Sequence, residues 1–423
     1  MPARRHIRLI GALAGGAVAA TPLAAGAQTI LFAPETLHAV VDLRVAAADG
    51  EPSFTQGGFG KAVYGGDGSS ALKGHVDVAL AAVEWTPRLN WDWSAVIDVA
   101  HQPGQEHAVD LLQAYALYKP TPSSATRFQA RFGYFYPPIS LEHDHKVWGL
   151  ANEITPSAIN SWVGEEVKVV GAEATVSQDT GLGRFAATAA LFGYDDTAGT
   201  LLSFRGWALD DRQGQLRGVF PLPPRSPFFD AAQDDETYTT LEIDRRIGEY
   251  GKLAWDLADW PVTLEALHYN NAGDRVSVVE PVQWAWATNF TNLGATAKLG
   301  DHTRLKAQAL WGRTQFGFPT PQGIWVDVIF RSAYLLASQE VGDDTFTLRG
   351  DLFDAKDKTE AFGDDKNERG WAITAAWRRP LSRHIDLRVE ALHVDSNRPA
   401  RSLAGEPPGQ AQTVLQSSLR FTM

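Results

Sequence analysis

Because this chain of 423 residues contains no cysteine, histidines and acids are the first groups to weigh for chemistry. His143, Asp144 and His145 follow one another, and an imidazole-carboxylate-imidazole run has the donors of a metal clip. Ligands at i and i+2 without a placed third partner are ordinarily solvated polar residues, so no metal site is expected. His268 and His393, taken with loop acids, carry groups that a barrel hydrolase would use, but no spaced motif joins either to a nucleophile. Gly57-Gly58-Phe59-Gly60 and Gly65-Gly66-Asp67-Gly68 follow no strand-to-helix pattern and are not a phosphate cradle. No catalytic residue and no cofactor is expected, and the lack of cysteine excludes disulfides and thiolate zinc sites.

The elements that would position side chains begin after an export segment. Arg4, Arg5 and Arg8 precede an apolar stretch from Leu9 to Leu23, and Ala25-Gly26-Ala27 supplies a small-x-small cleavage site. Residues 1–27 therefore read as a cleaved signal peptide: the stretch is rich in Gly and Ala, contains Pro22, and is shorter than the ~20 apolar residues of a spanning helix. Loss of its three arginines moves the formal net charge from −12 to −15. So acidic a chain has no electrostatic footprint for nucleic acid. No linker or composition shift divides residues 28–423, and no later apolar run reaches spanning-helix length.

Periodicity selects an all-β architecture. In Arg127-Phe128-Gln129-Ala130-Arg131-Phe132 every second residue is polar, the period of a strand. The same alternation runs through 37–45, 304–311, 346–352 and 385–391. Strands of about 10 to 13 residues exceed the ~5 to 6 of globular sheets and match tilted strands that cross a bilayer. Short turns at 86–90, 119–126, 178–183, 258–261, 300–303, 340–344 and 379–384 alternate with long polar connections at 48–71, 137–166, 194–247, 354–370 and 396–410. Such asymmetry predicts a transmembrane antiparallel β-barrel of about sixteen strands, both ends on the short-turn side. The strand before Ala258 and one beginning near Trp284 carry the weakest pattern.

Aromatic rings agree, since Trp85, Trp91, Tyr118, Trp260 and Trp377 stand beside the short turns, where girdles form at the water-lipid boundary. The terminal Leu419-Arg420-Phe421-Thr422-Met423 resembles the carboxy-terminal signature read by the barrel-assembly machinery, with Met in place of the common Phe. The segment Arg131-Phe132-Gly133-Tyr134-Phe135-Tyr136-Pro137-Pro138-Ile139-Ser140-Leu141-Glu142, a strand running through Gly and Pro into a long loop, resembles bacterial outer-membrane porins and, distantly, their phosphate-selective O and P type. That resemblance implies a homotrimer of passive diffusion channels for small hydrophilic solutes or ions, with a third outer loop folded inward. The loop at 137–166 is then the candidate constriction.

On this reading Arg44, Arg127, Arg131, Lys306, Arg349, Asp351 and Arg388 are candidate pore-lining groups. Glu142, Asp144, Lys146, Glu153, Glu165 and Glu166 would act from the constriction loop. Ile139, Leu141, Trp148, Ile154, Ile159 and Trp162 need something to pack against, although a solvated outer loop is the plainer alternative. Thr155-Pro156-Ser157-Ala158 can cap a short helical turn. Arg127 and Arg131, facing one way, form either a local anion step or a pin for loop carboxylates such as Glu142 or Asp144. Charge of both signs on the inner face, and few lysines, speak against phosphate preference. The 194–247 segment reads as a solvated irregular loop whose acids would bind the divalent cations that bridge lipopolysaccharide. It is also the binding part in the alternative of a surface anchor or adhesin, the other alternative being a barrel enzyme. Small residues at Ala186 to Ala190 offer one oligomer patch on an outer face.

Overall fold

The computed structural model describes residues 30–321, 323–359 and 361–423, so the expected signal peptide lies outside the described residues. Sixteen antiparallel strands close into one barrel. They are β1 Leu37–Gly50, β2 Ser69–Trp85, β3 Trp93–His101, β4 Asp110–Tyr118, β5 Thr126–Phe135, β6 Val169–Thr180, β7 Gly183–Gly193 and β8 Gly248–Leu257. The circuit continues through β9 Val262–Asn270, β10 Ala287–Leu299, β11 Thr303–Thr320, β12 Gly323–Val341, β13 Asp344–Asp357, β14 Glu368–Pro380, β15 Ile385–Asn397 and β16 Gly409–Thr422. Closure comes from β1 against β16, in register from Val40↔Thr422 to Ala48↔Val414. Closing leaves no unpaired edge, which a sheet in hydrocarbon requires.

The pleat sorts side chains by face. Along β1, Asp42 and Arg44 are buried inside while Leu43 and Val45 are 42% and 58% exposed outside. Leu348, Leu352, Ile373 and Leu415 extend this exposed apolar belt around the wall. No helix among the described residues is long and apolar enough to cross a membrane. Rings cluster at the short-turn end: Trp85 stacks on Phe32 at 5.2 Å, Trp93 packs on Tyr118 at 4.9 Å, and Phe185 stacks on Trp255 at 5.2 Å. Trp91 and Trp260 stand largely exposed there.

Several boundaries differ from the sequence reading. Strands range from 9 residues in β3 to 19 in β12, because β11 and β12 run on together beyond the wall into a tight outer turn. The wall strand expected to begin near Trp284 is β10, which starts three residues later at Ala287, while Gln283–Trp284 itself pairs with Val278–Val279 in a small hairpin inside an outer loop. An outer loop at 102–109, too short to count among the long connections, precedes the candidate constriction and makes it the third on that side. Most consequential is the 194–247 segment. Leu201, Leu202, Phe204, Trp207 and Leu209 are buried, so its first half is packed rather than solvated.

Candidate constriction inside the barrel

The loop between β5 and β6 leaves the wall through Tyr136 and the two prolines that follow, and basic groups of the wall catch its carbonyls. Arg131 donates to the Tyr136 carbonyl at 3.1 Å and Lys252 Nζ to that of Pro138 at 2.9 Å. Gln308 of β11 then donates to the Ile139 carbonyl at 3.0 Å and accepts from the Leu141 N–H at 3.3 Å. The chain thus descends inside the barrel with these backbone groups paired to the inner wall.

At its lowest point the loop spans the lumen. Asp144 pairs with Lys306 of β11 at 2.6 Å, and Lys146 pairs with Glu84 of β2 at 3.3 Å. The returning strand of the loop lies on the opposite wall. Ile154 and Thr155 donate to Glu390 of β15 at 2.7 and 3.2 Å, and Arg388 donates to the Leu150 and Glu153 carbonyls at 3.0 and 2.9 Å. Arg349 of β13 reaches the Thr155 and Pro156 carbonyls at 2.7 and 2.9 Å and the Glu142 carboxylate at 3.2 Å. Ser157 caps a one-and-a-half-turn helix, α1 Ala158–Val163, by accepting from the Asn160 N–H, with Pro156 just outside the helix rather than in its first turn. Trp162 on α1 packs against Trp207, Phe290 and Phe330, filling the outer half of the barrel with an apolar plug.

The loop at 194–247 seals this arrangement from above. Arg205 pairs with Glu166 at 2.7 Å, Gly214 N–H donates to the Glu165 carbonyl at 2.7 Å, and Gln213 donates to the Val147 and Trp148 carbonyls. Burial sets the protonation of the acids in between. It pushes Glu153 up to about 7, with the charge of Glu142 adding to the effect, and holds Glu165 well above the usual carboxylate range, with Asp211 adding there. Burial also lowers His143 to about 4, so its imidazole is neutral.

The expected site residues therefore divide. Arg44, Arg349, Asp351 and Arg388 face inward but are covered by the loops, not bathed in a lumen. Glu142, Glu153, Glu165 and Glu166 are buried in loop packing, whereas Asp144 and Lys146 remain exposed. Arg131 pairs with Glu173 of β6 and Arg127 with Asp179, so neither pins a loop carboxylate. His143 is committed to Glu165 and stacks on Trp148 while Asp144 is bound to Lys306, which dissolves the metal clip. His268 and His393 each bond a threonine of the next strand, Thr291 and Thr413, and lie apart from the loop acids. Asp196, Glu242 and Asp244, at the base of the loop at 194–247, bring ligand oxygens within 4.8 Å of one another, but they accept backbone N–H groups of this loop and of Asp274 that make them a loop clasp.

Water reaches the inner wall mainly along β5 to β11. Gln129, Arg131, Thr175, Thr188, Lys252, Glu265 and Lys306 are partly exposed there, and Lys252 pairs with Glu265 at 2.7 Å. Arg131 and Lys306 were among the expected lining groups; Gln129, Thr175, Thr188 and Lys252 were missed because the sequence pattern marks faces and not which part of a face a loop covers. The plug's signal was present in the apolar cluster 201–209 of a segment that otherwise reads as solvated.

A closed sixteen-strand wall, short turns at one end, long loops at the other and the third of them inside define the porin fold. No protein-family model matches the sequence, and no curated protein does either. Among solved structures, the outer membrane channel DcaP of Acinetobacter baumannii is similar with a TM-score of 0.55 at 11% identity, covering 92% of this chain and 96% of that one. The anion-selective porin from Comamonas acidovorans matches with 0.50 at 12%, over 92% and 99% of the two chains. The trimer form of OmpT, an outer membrane protein of Vibrio cholerae, matches with 0.50 at 8%, over 92% and 99%.

Proposed function

We propose that this chain is a channel of the bacterial outer membrane through which small hydrophilic solutes diffuse passively, narrowed by its third outer loop. The observation that carries the reading is a polar inner wall left partly wet along β5 to β11 inside an apolar outer belt, with the exposed Asp144 and Lys146 on the loop that crosses the lumen. Because loops fill the outer half, the bore is small. Arg131, Arg349, Arg388 and Arg420 each have a carboxylate partner, which supports weak charge selectivity and disfavours phosphate preference. A homotrimer embedded in lipid and lipopolysaccharide, inserted by the barrel-assembly machinery, completes the proposal; the grooves lined by Ala187, Ala189, Leu253 and Leu264 on the outer wall suit a neighbouring barrel.

Planar-bilayer recording of the refolded protein tests this directly. Stepwise openings of small conductance, with a reversal potential near zero across a salt gradient, are expected. A folded barrel that never conducts would overturn the channel.

A further inference from the structure

On the opposite side of the lumen from the wet wall, a cavity of about 230 Å³ lies in the outer half of the barrel. Its floor is the inner face of β1 and β2, with Arg44, His75, Asp77 and Ala79, and its cover comes from the loops at 53–65, 102–104 and 211–212. The volume would hold roughly seven waters at ~30 Å³ each, or one organic molecule of a few heavy atoms.

The charges around it do not cancel locally. Arg44 is answered by Asp42 at 2.9 Å and Asp211 at 2.7 Å. Arg212 makes no ion pair among the described residues: its one side-chain hydrogen bond goes to the Gly104 carbonyl at 3.3 Å, and its buried Nε has no partner. Asp77, half-buried on β2, has neither an ion pair nor a hydrogen bond to its carboxylate among the described residues, although Arg44 is its register neighbour. Arg212, whose guanidinium lies over the Phe220 ring at 5.1 Å, and Asp77 are thus the cation and the anion on the lining of this cavity without an ion pair among the described residues. Arg212 is buried, and a buried charge with no ion-pair partner is costly, whereas Asp77 is half-buried and faces the cavity.

We infer that this cavity is a binding subsite for a small zwitterion, an α-amino acid with a short side chain. Its carboxylate lies against the Arg212 guanidinium and its ammonium against Asp77. A simple anion would satisfy Arg212 but face the bare Asp77 carboxylate, and a simple cation would meet the reverse penalty; only a ligand carrying both charges satisfies both. His75 is spoken for by the Gly65 carbonyl at 3.0 Å and Gln102 by that of Gln213 at 3.2 Å, so neither competes for the ligand's charges. The subsite names a solute class for the proposed channel and rests on that reading for its purpose, not for its existence.

Titration calorimetry on the refolded full chain in detergent, with L-alanine as probe and acetate and methylammonium as its two halves, decides the matter. Saturable alanine binding is expected, with either half at least about tenfold weaker. Asp77→Asn and Arg212→Gln, each checked for folding by heat-modifiable gel mobility, are expected to weaken alanine about tenfold, and Asp77→Asn to improve acetate. Should Arg212→Gln fail to fold, Arg212→Lys and the wall variant Asp77→Asn carry the test. No alanine binding, acetate binding as tight as alanine, or unchanged affinity in a folded Asp77→Asn variant would overturn the inference. Because the readout is equilibrium binding, a barrel that binds alanine but never conducts refutes the channel and leaves the subsite standing.

Discussion

Asp144 and Lys146 are two residues apart in the chain but are held by nearly opposite walls: Asp144 by Lys306 of β11 and Lys146 by Glu84 of β2, seven strands away in one direction and nine in the other. The loop tip is therefore a crossbar strung between two ion pairs. Both pairs are half in water, so each is worth only about 0.2–1 kcal/mol. The double variant Asp144→Ala, Lys146→Ala should melt near the parent and conduct on the order of twice as much, because two side chains leave the crossbar. Planar-bilayer recording checks this; an unchanged conductance would mean that the tip does not limit flow.

Arg349 holds the other arm of the loop, and from a dry place. It donates to Asp351 at 2.8 Å, to Glu142 at 3.2 Å, to two loop carbonyls and to Thr374 at 3.0 Å. Arg349→Met leaves two buried carboxylates facing each other, a loss of about 3–5 kcal/mol. Glu142→Gln keeps an acceptor for Arg349 and costs about 1–3 kcal/mol. Denaturant unfolding should rank the two in that order, and trypsin should cut after Lys146 sooner in Arg349→Met than in the parent. Equal resistance in both would place the loop's anchorage elsewhere.

The barrel was legible because a two-residue period needs only local sequence: 385–391 alternates charge and apolar groups, and β15 places them on the two faces as read. What the loops do was not. Glu142 and Arg349 are 207 positions apart, and no local pattern announces that they meet. The same holds for Arg131, whose partner Glu173 stands directly across the β5–β6 pairing and not in the loop. The deep burial of 200–215 was hidden by flanking Asp, Pro and Gly, which made an apolar core segment look like solvent-facing chain.

Gly133, inside the Arg131–Glu142 segment, shows why that segment has its composition. Its φ of +139° is one that side chains disfavour, and an added Cβ would stand 2.3 Å from the Ala114 carbonyl oxygen on β4. Gly133→Ala combines a backbone strain of about 1–3 kcal/mol with that clash and should sharply lower the yield of refolded barrel. Gly74→Ala, where a Cβ meets nothing within 4 Å, is the matched control. Heat-modifiable mobility scores both, and equal yields would remove the close approach of β4 and β5 as the reason for glycine.

The relation between His143 and Glu165 gives the fold a pH dependence whose sign can be worked out. Ser140 Oγ accepts from the N–H groups of Glu142 and His143 and so donates to His143 Nδ1 at 2.7 Å, leaving Nε2–H to donate to Glu165 Oε1 at 2.7 Å. The other oxygen of Glu165 is buried without a partner, a setting that favours the protonated acid. Folding thus raises the Glu165 pKa above its ordinary 4.5 and lowers that of His143 from 6.5 to about 4. Between about 4 and 6.5 the unfolded chain protonates His143 and the folded one does not, so this group adds stability as pH rises; above 4.5 the unfolded chain ionises Glu165 and the folded one resists, so stability falls. The two oppose each other up to pH 6.5, and beyond it only the Glu165 contribution continues downward. Tryptophan fluorescence of Trp148, which stacks on His143 at 5.4 Å, should report loop loosening as the pH is taken from 6.5 to 9. Glu165→Gln has nothing to ionise and should show a shallower decline, though not a flat one, because Glu153, Glu166 and Asp210 are raised in the same sense. An identical decline in the variant would mean that Glu165 is already ionised in the folded loop.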